Sequence, residues 1–259
     1  MDRSSFHEHE KSSNWVYVLY KQEKKVIDMI GCLMIHGYTG GPYEIEPLKK
    51  YIDEHTDWLV EIPTLEGHGK QLALKDVSYE VWLEDALAAY EKLRKQCETI
   101  YVIGFSMGGM IAAYIAAHYT VAKLVLLAPA RRYISLKYIT YYFGEMIGDG
   151  MKGLLEENDT FLHYKDKIGE VPFTANFEFI QLVNFTKTSL HEIDVPVFIV
   201  QGKMDGMVPY KTAYLLAEEI GEEKVEIVFF DQADHHLCLS PDAHVIHPLV
   251  LQFLQKTSP

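Results

Sequence analysis

Ile100-Tyr-Val-Ile-Gly-Phe-Ser-Met-Gly-Gly109 leads a run of β-branched and aromatic residues into an apolar, Ala-rich segment, Met107 to His118. The order predicts a strand, a sharp turn and a helix. Inside it, Gly104-Phe105-Ser106-Met107-Gly108 has the pattern G-x-S-x-G, which fits a nucleophile elbow in this setting. The serine takes a strained backbone conformation, and the glycines two positions to either side let strand and helix approach closely. Ser106 is then expected to stand exposed above the sheet.

Working outward, strand-like and helix-like segments alternate. On the N-terminal side, Trp15 to Tyr20 reads as a first strand, and the apolar stretch from Val26 to His36 as a second. That second strand ends in His36-Gly-Tyr-Thr-Gly-Gly-Pro42, whose glycines free backbone N–H groups to point into a site. A helix around Glu46 to His55, a short strand from Trp58 to Ile62 and the loop Pro63 to Gly69 follow. Val81, Trp82, Ala86, Ala89, Tyr90 and Leu93 then recur at helical spacing, predicting a helix from about Tyr79 to Lys95.

On the C-terminal side, Ala122 to Ala128 is a further buried strand. From Arg131 to about His191 the alternation stops, and the segment is rich in aromatics such as Tyr133, Tyr141, Phe161, Phe173, Phe179 and Phe185. It is too long for an ordinary connection and is read as a cap inserted above the strand ends. Most of its aromatics should form the cap's own core, and a few should line an apolar pocket. Alternation resumes with the strand Val195 to Gln201, a helix from Tyr210 to Ile220 stopped by Gly221, the strand Lys224 to Phe230 and a C-terminal helix. The expected fold is α/β, with a mostly parallel central sheet flanked by helices and an inserted cap. Residues 15–130 and 192–259 form the core of one domain, 131–191 the cap and 1–14 a polar tail.

Composition narrows the partners. The chain has 259 residues, 48% hydrophobic and 24% charged, with a net charge of -13. An acidic surplus of this size disfavours nucleic acid and anionic lipid. No apolar run reaches membrane-spanning length, and residues 1–14 lack the apolar centre of a secretory signal, so a cytoplasmic protein with no stable membrane insertion is expected. Three cysteines, Cys32, Cys97 and Cys238, lack metal-ligand spacing and make a disulfide framework unexpected.

A serine hydroxyl needs a base within reach and a third group to orient that base. Ser106, Asp205 and His235 stand in the chain order serine, acid, histidine, each just past a predicted strand. Asp231 and Asp234 are rival acids but lie in the histidine's own loop. His236 rivals His235, which is preferred. Backbone N–H groups of Met107, after the nucleophile, and Tyr38, in the glycine-rich loop, are the candidate oxyanion donors. His36 is read as a support of that loop and His68 as a structural loop residue. His7-Glu8-His9, His235-His236, His244 and His247 are metal ligands by type, but their spacing matches no helical zinc motif.

The runs H-G-Y-T-G at 36–40, G-H-G at 67–69, G-F-S-M-G-G at 104–109 and Q-G-K-M-D-G-M-V at 201–208, with a late histidine, resemble the α/β-hydrolase superfamily. Within it the chain looks most like the bacterial carboxylesterases and monoacylglycerol lipases with a compact cap. The resemblance implies a serine hydrolase of short- to medium-chain esters, with a small-molecule ester as partner and no cofactor or metal. It also implies Ser106 as nucleophile, Asp205 as acid, His235 as base and Tyr38 and Met107 as oxyanion donors. One departure stands out: the base usually follows a small residue, whereas here Asp234 precedes it and a second histidine follows. An aminopeptidase or carbon–carbon bond hydrolase on the same fold, and a non-catalytic small-molecule receptor, are the alternatives.

Overall fold

The computed structural model describes residues 29–132 and 171–256. Among these described residues the centre is a six-stranded sheet, entirely parallel, in the order β2-β1-β3-β4-β5-β6. The strands are β1 (Ile30–Ile35), β2 (Leu59–Glu61), β3 (Thr99–Phe105), β4 (Lys123–Leu127), β5 (Val197–Gly202) and β6 (Val225–Phe230). The helices between and around them are α1 (Glu46–His55), α2 (Tyr79–Arg94), α3 (Met107–His118), α4 (Phe173–Thr186), α5 (Thr212–Ile220) and α6 (Ala243–Gln255). The described architecture is the α/β fold that the sequence predicted, with a parallel central sheet flanked by helices. The predicted strand Trp15 to Tyr20, the polar tail and the cap aromatics between 133 and 170 lie outside the described residues.

A parallel sheet must be covered on both faces, so its central strands read as continuous apolar runs. All five residues of β4 are buried, Lys123 among them. The Lys123 ammonium donates to the carbonyls of Phe253 and Leu254, so a buried cation satisfies the otherwise unpaired carbonyls at the end of α6. One apolar layer joins α2, α3 and α5 to the sheet through Trp82, Leu93, Ile111 and Leu216. The opposite layer packs α1 and α6 through Leu48, Ile52, Ile246 and Phe253. Phe179, Leu182 and Val183 of α4 belong to the first layer, so the stretch following residue 172 packs on the core helices α2 and α3. Phe173 and Phe177, on the same helix, are exposed and meet each other edge to face.

The elbow forms because no side chain intrudes where β3 turns into α3. A methyl group at Gly104 would lie 2.2 Å from the Gly108 carbonyl oxygen, and one at Gly108 would lie 2.3 Å from the Ile35 carbonyl oxygen. Between them Ser106 sits at φ 54 and ψ -116, a conformation that costs a non-glycine residue about 1–3 kcal/mol. Three main-chain hydrogen bonds hold it there. Ser106 N–H donates to Leu127 O, and Ser106 O accepts from Gly109 and Ala130.

No helix among the described residues is long and apolar enough to cross a membrane. The three cysteines are free and buried. Burial pushes the Cys32 thiol far up and that of Cys238 to about 12, which leaves both unreactive.

Candidate active site

Because every strand runs in the same direction, the loops after β1, β3, β5 and β6 emerge along one edge of the sheet. This is the edge at which open α/β sheets bind ligands. It brings together side chains 30 to 129 residues apart in sequence. His235 Nε2 lies 2.9 Å from Ser106 Oγ, and His235 Nδ1 lies 2.8 Å from Asp205 Oδ2. The acid is itself held in place. Asp205 Oδ1 accepts from the backbone N–H groups of Met207 and Val208, and Oδ2 also accepts from Gln201 Nε2 at 2.8 Å. Main-chain bonds from Lys203 N to Phe230 O and from Met204 N to Ala233 O fasten the Asp205 loop to the His235 loop.

The rival assignments find other partners. Asp231 pairs with Lys203, and Asp234 accepts from the backbone N–H of His236. His236 Nε2 faces Glu44, at 3.9 Å, and is not on the serine. The expectation of an exposed nucleophile is corrected: Ser106 is 4% exposed, because the His235 ring lies on its hydroxyl and Gly37 packs against it.

Burial is the largest influence on His235 and pulls its pKa down. The charges of Asp205, Glu44 and Asp234 and the hydrogen bond to Asp205 outweigh it, so the net shift is upward. A carboxylate on Nδ1 selects the tautomer that leaves Nε2 as an acceptor toward Ser106.

The glycine-rich loop after β1 is supported from two sides. His36 is buried and pushed down to about 4 by burial, with its hydrogen bond to Gly37 opposing. As a neutral ring it donates from Nδ1 to Gly37 O and accepts Leu65 N–H on Nε2. It thereby ties the loop to the one at 63–69. Beneath the same loop, the buried Glu44 carboxylate accepts the N–H groups of Gly37, at 3.1 Å, and Gly41, at 3.3 Å. Gly37 N–H is thus engaged by the protein. The Tyr38 ring stacks on Phe179 of α4, 4.9 Å between centroids and 11° apart in plane, and its hydroxyl donates to Asn176. His68 donates to Glu66 O and lies edge-on to Trp82, a structural placement.

Two residues of the site were not picked out from sequence. Gln201 is a polar residue closing an otherwise apolar strand, and Glu44 stands three positions after Gly41, whose backbone N–H its carboxylate accepts. Both signals were present, though neither is specific. Among the described residues, no group of three or more His, Cys, Asp or Glu side chains is placed to hold a metal ion.

The profile of one hydrolase family, described as "Serine aminopeptidase, S33" (Hydrolase_4), matches residues 32–242. The chain belongs to this family. It is also 26% identical over 242 residues to a thermostable monoacylglycerol lipase of Bacillus sp. (strain H-257), covering 88% of this chain and 91% of that one. A carboxylesterase of Bacillus subtilis (strain 168) is 23% identical over 235 residues, covering 86% and 92% of the two chains. Among solved structures, one of the metagenome-derived lipolytic enzymes LipS and LipT superposes with a TM-score of 0.71 at 21% identity, over 89% of this chain and 95% of its own. The monoacylglycerol lipase of Paleococcus ferrophilus does so with a TM-score of 0.67 at 17% identity, over 88% and 96%. This member of the serine aminopeptidase family is therefore an α/β-hydrolase that resembles esterases and monoacylglycerol lipases.

Proposed function

We propose that the protein is a serine carboxylester hydrolase that works through an acyl-enzyme on short- to medium-chain esters, monoacylglycerols among them. The observation that carries this reading is the continuous hydrogen-bonded path Asp205–His235–Ser106, ending on a serine in a strained turn. His235 Nε2 takes the Ser106 proton as Oγ attacks the ester carbonyl carbon. The carbonyl oxygen becomes an oxyanion and is held by the N–H groups of Met107 and Tyr38. Met107 begins α3, so its N–H is one of the helix's unpaired N-terminal donors, and the helix dipole adds to its effect. His235 returns the proton to the leaving alcohol. Water, deprotonated by the same ring, then attacks the acyl-Ser106, and the released carboxylic acid leaves the serine free. Asp205 stays ionised throughout and keeps the ring oriented. The names of the two Bacillus relatives and the uncharged apolar chemistry of Tyr38 and Phe179 beside the site support an ester with an acyl chain.

Hydrolysis of p-nitrophenyl esters from acetate to palmitate, with monoacylglycerol and aminoacyl p-nitroanilides as further arms, tests the proposal. Serine-dependent turnover of the shorter esters is expected, with Ser106→Ala lowering kcat by roughly 10⁶-fold, the scale seen when a serine protease loses its nucleophile. The upward shift of His235 sets the sign of the pH dependence. The base works only when neutral, so kcat/KM falls as pH drops through a value above the ordinary 6.5 of histidine. Ester turnover surviving Ser106→Ala would overturn the assignment. Turnover confined to the anilides would redirect it to peptides.

A further inference from the structure

Glu44 is a buried carboxylate that the reaction does not use. Its side chain is 2% exposed, yet it lies under the loop that offers one of the two oxyanion donors. One oxygen, Oε2, accepts from both Gly37 and Gly41, the residues that bracket Tyr38, Thr39 and Gly40. The other faces His236 Nε2, on the segment that carries the base. The loop is wrapped so tightly on the carboxylate that a methyl group at Gly40 would lie 1.8 Å from Oε2. Thr39, at the turn, has φ 57, a left-handed conformation that a non-glycine residue keeps only where its surroundings enforce it. Burying a carboxylate costs several kcal/mol unless its lone pairs are satisfied, and simple packing would be served better by an apolar residue. A carboxylate accepts two N–H groups at once through charge-assisted bonds, which fixes the backbone between them.

Resting on the esterase reading, we propose that Glu44 is the positioning residue of the oxyanion loop, gripping Gly37 and Gly41 so that the intervening backbone holds its shape before substrate arrives. An oxyanion hole works because its donors are oriented in advance, so no reorganisation is needed at the moment of reaction. The second histidine after the base, which departs from the usual pattern, has a place in this arrangement: it faces the carboxylate that holds the loop.

Three variants test the proposal on p-nitrophenyl butyrate, with hydrogen exchange of the peptide spanning residues 36–45 read alongside. Glu44→Ala removes the acceptor and is expected to lower kcat by roughly 10- to 100-fold, below the loss for deleting a whole oxyanion donor. KM should change little, and exchange at Gly37 to Gly41 should accelerate. Glu44→Gln keeps an acceptor oxygen and is expected to restore most of kcat and the slow exchange. Its acid limb should also move to lower pH, since Glu44 is one of three carboxylates, with Asp205 and Asp234, that raise His235. The His236 ring, 5.6 Å from that of His235, is a further titratable neighbour and is not substituted in the variant. Glu44→Asp keeps the charge but withdraws it by one methylene, so it should resemble Ala. It carries the test if Glu44→Ala does not fold.

Wild-type kcat in a folded Ala or Asp variant overturns the proposal. So does a loss of kcat with unchanged loop exchange, which would make Glu44 an electrostatic group and not a positioning one. If the wild-type protein neither turns over esters nor is labelled at Ser106 by a fluorophosphonate, the esterase reading fails. The exchange comparison would still decide whether Glu44 holds the loop.

Discussion

The elbow and the glycine-rich loop after β1 meet at Ser106 but are held by different means. The elbow is built from main chain. Gly104 and Gly108 abut carbonyl groups of α3 and β1, and the strain at Ser106 is met by three backbone hydrogen bonds. The loop at 36–44 is built from side chains: the neutral His36 ring, the Glu44 carboxylate and the Tyr38 ring on Phe179. Main-chain packing tolerates almost no substitution at its contact points but needs few residues to specify it. Side-chain support spreads the same job over several residues, each of which can be altered with the fold intact.

The contrast predicts effects of graded size. The largest is Gly108→Ala, whose methyl would meet two backbone oxygens of Ile35 and His36 that cannot move aside. It should cost at least about 3 kcal/mol, the upper end of ordinary overpacking, and reduce the yield of folded protein. For Gly40→Ala the three nearest atoms to the methyl all belong to the Glu44 side chain, so a milder loss in thermal melting but a clear fall in kcat is expected. Equal melting temperatures for the two variants would break the distinction.

Next in size is the acid sensitivity of the loop's histidine. Burial lowers His36 from 6.5 to about 4, so it binds its proton more weakly in the folded chain than in the unfolded one. Its contribution to stability is complete above pH 6.5 and is lost as pH falls toward 4, by roughly 3 kcal/mol. His247 is also shifted down by burial and adds the same sign. The difference between wild type and His36→Gln in urea unfolding at pH 7 and pH 4.5 isolates the His36 share; parallel slopes would sink it. The smallest effect is expected from Tyr38→Phe. It gives up one 3.3 Å hydrogen bond to Asn176 and keeps the ring stack, so a loss of no more than ~1 kcal/mol and a kcat within about twofold should result. A larger fall in kcat would mean that the hydroxyl, not the backbone N–H, serves the reaction.

The same contrast governs what could be read in advance. The elbow and α3 were legible to the residue, Met107 to His118, because a local turn demands glycine at fixed offsets and a buried helix demands apolar residues throughout. The C-terminal ends of β1, β2, β4, β5 and β6 were legible to within one residue, since the apolar runs stop where the sheet does, whereas β1 begins at Ile30 and not at the Val26 where its apolar stretch starts. The support of the glycine-rich loop was less legible. In sequence Glu44 is one more acidic residue beside a helix start, and its meaning depends on which backbone N–H groups fold over it. In α4, Phe179 is buried against Tyr38 while Phe173 and Phe177 are exposed, a division no periodicity in that aromatic stretch announced.

By itself the sequence determined the alternation of strand and helix, the elbow around Ser106, and the order in which serine, acid and histidine follow one another. These are local or ordinal properties, set by side-chain periodicity, glycine placement and chain direction. Tertiary structure alone decided that His235 and not His236 lies on the serine, that the serine is covered, and that Glu44 sits beneath the glycine-rich loop after β1. Each of these depends on contacts between segments far apart in the chain, where a rotation of one loop by a single residue exchanges one partner for another and leaves the sequence pattern unchanged.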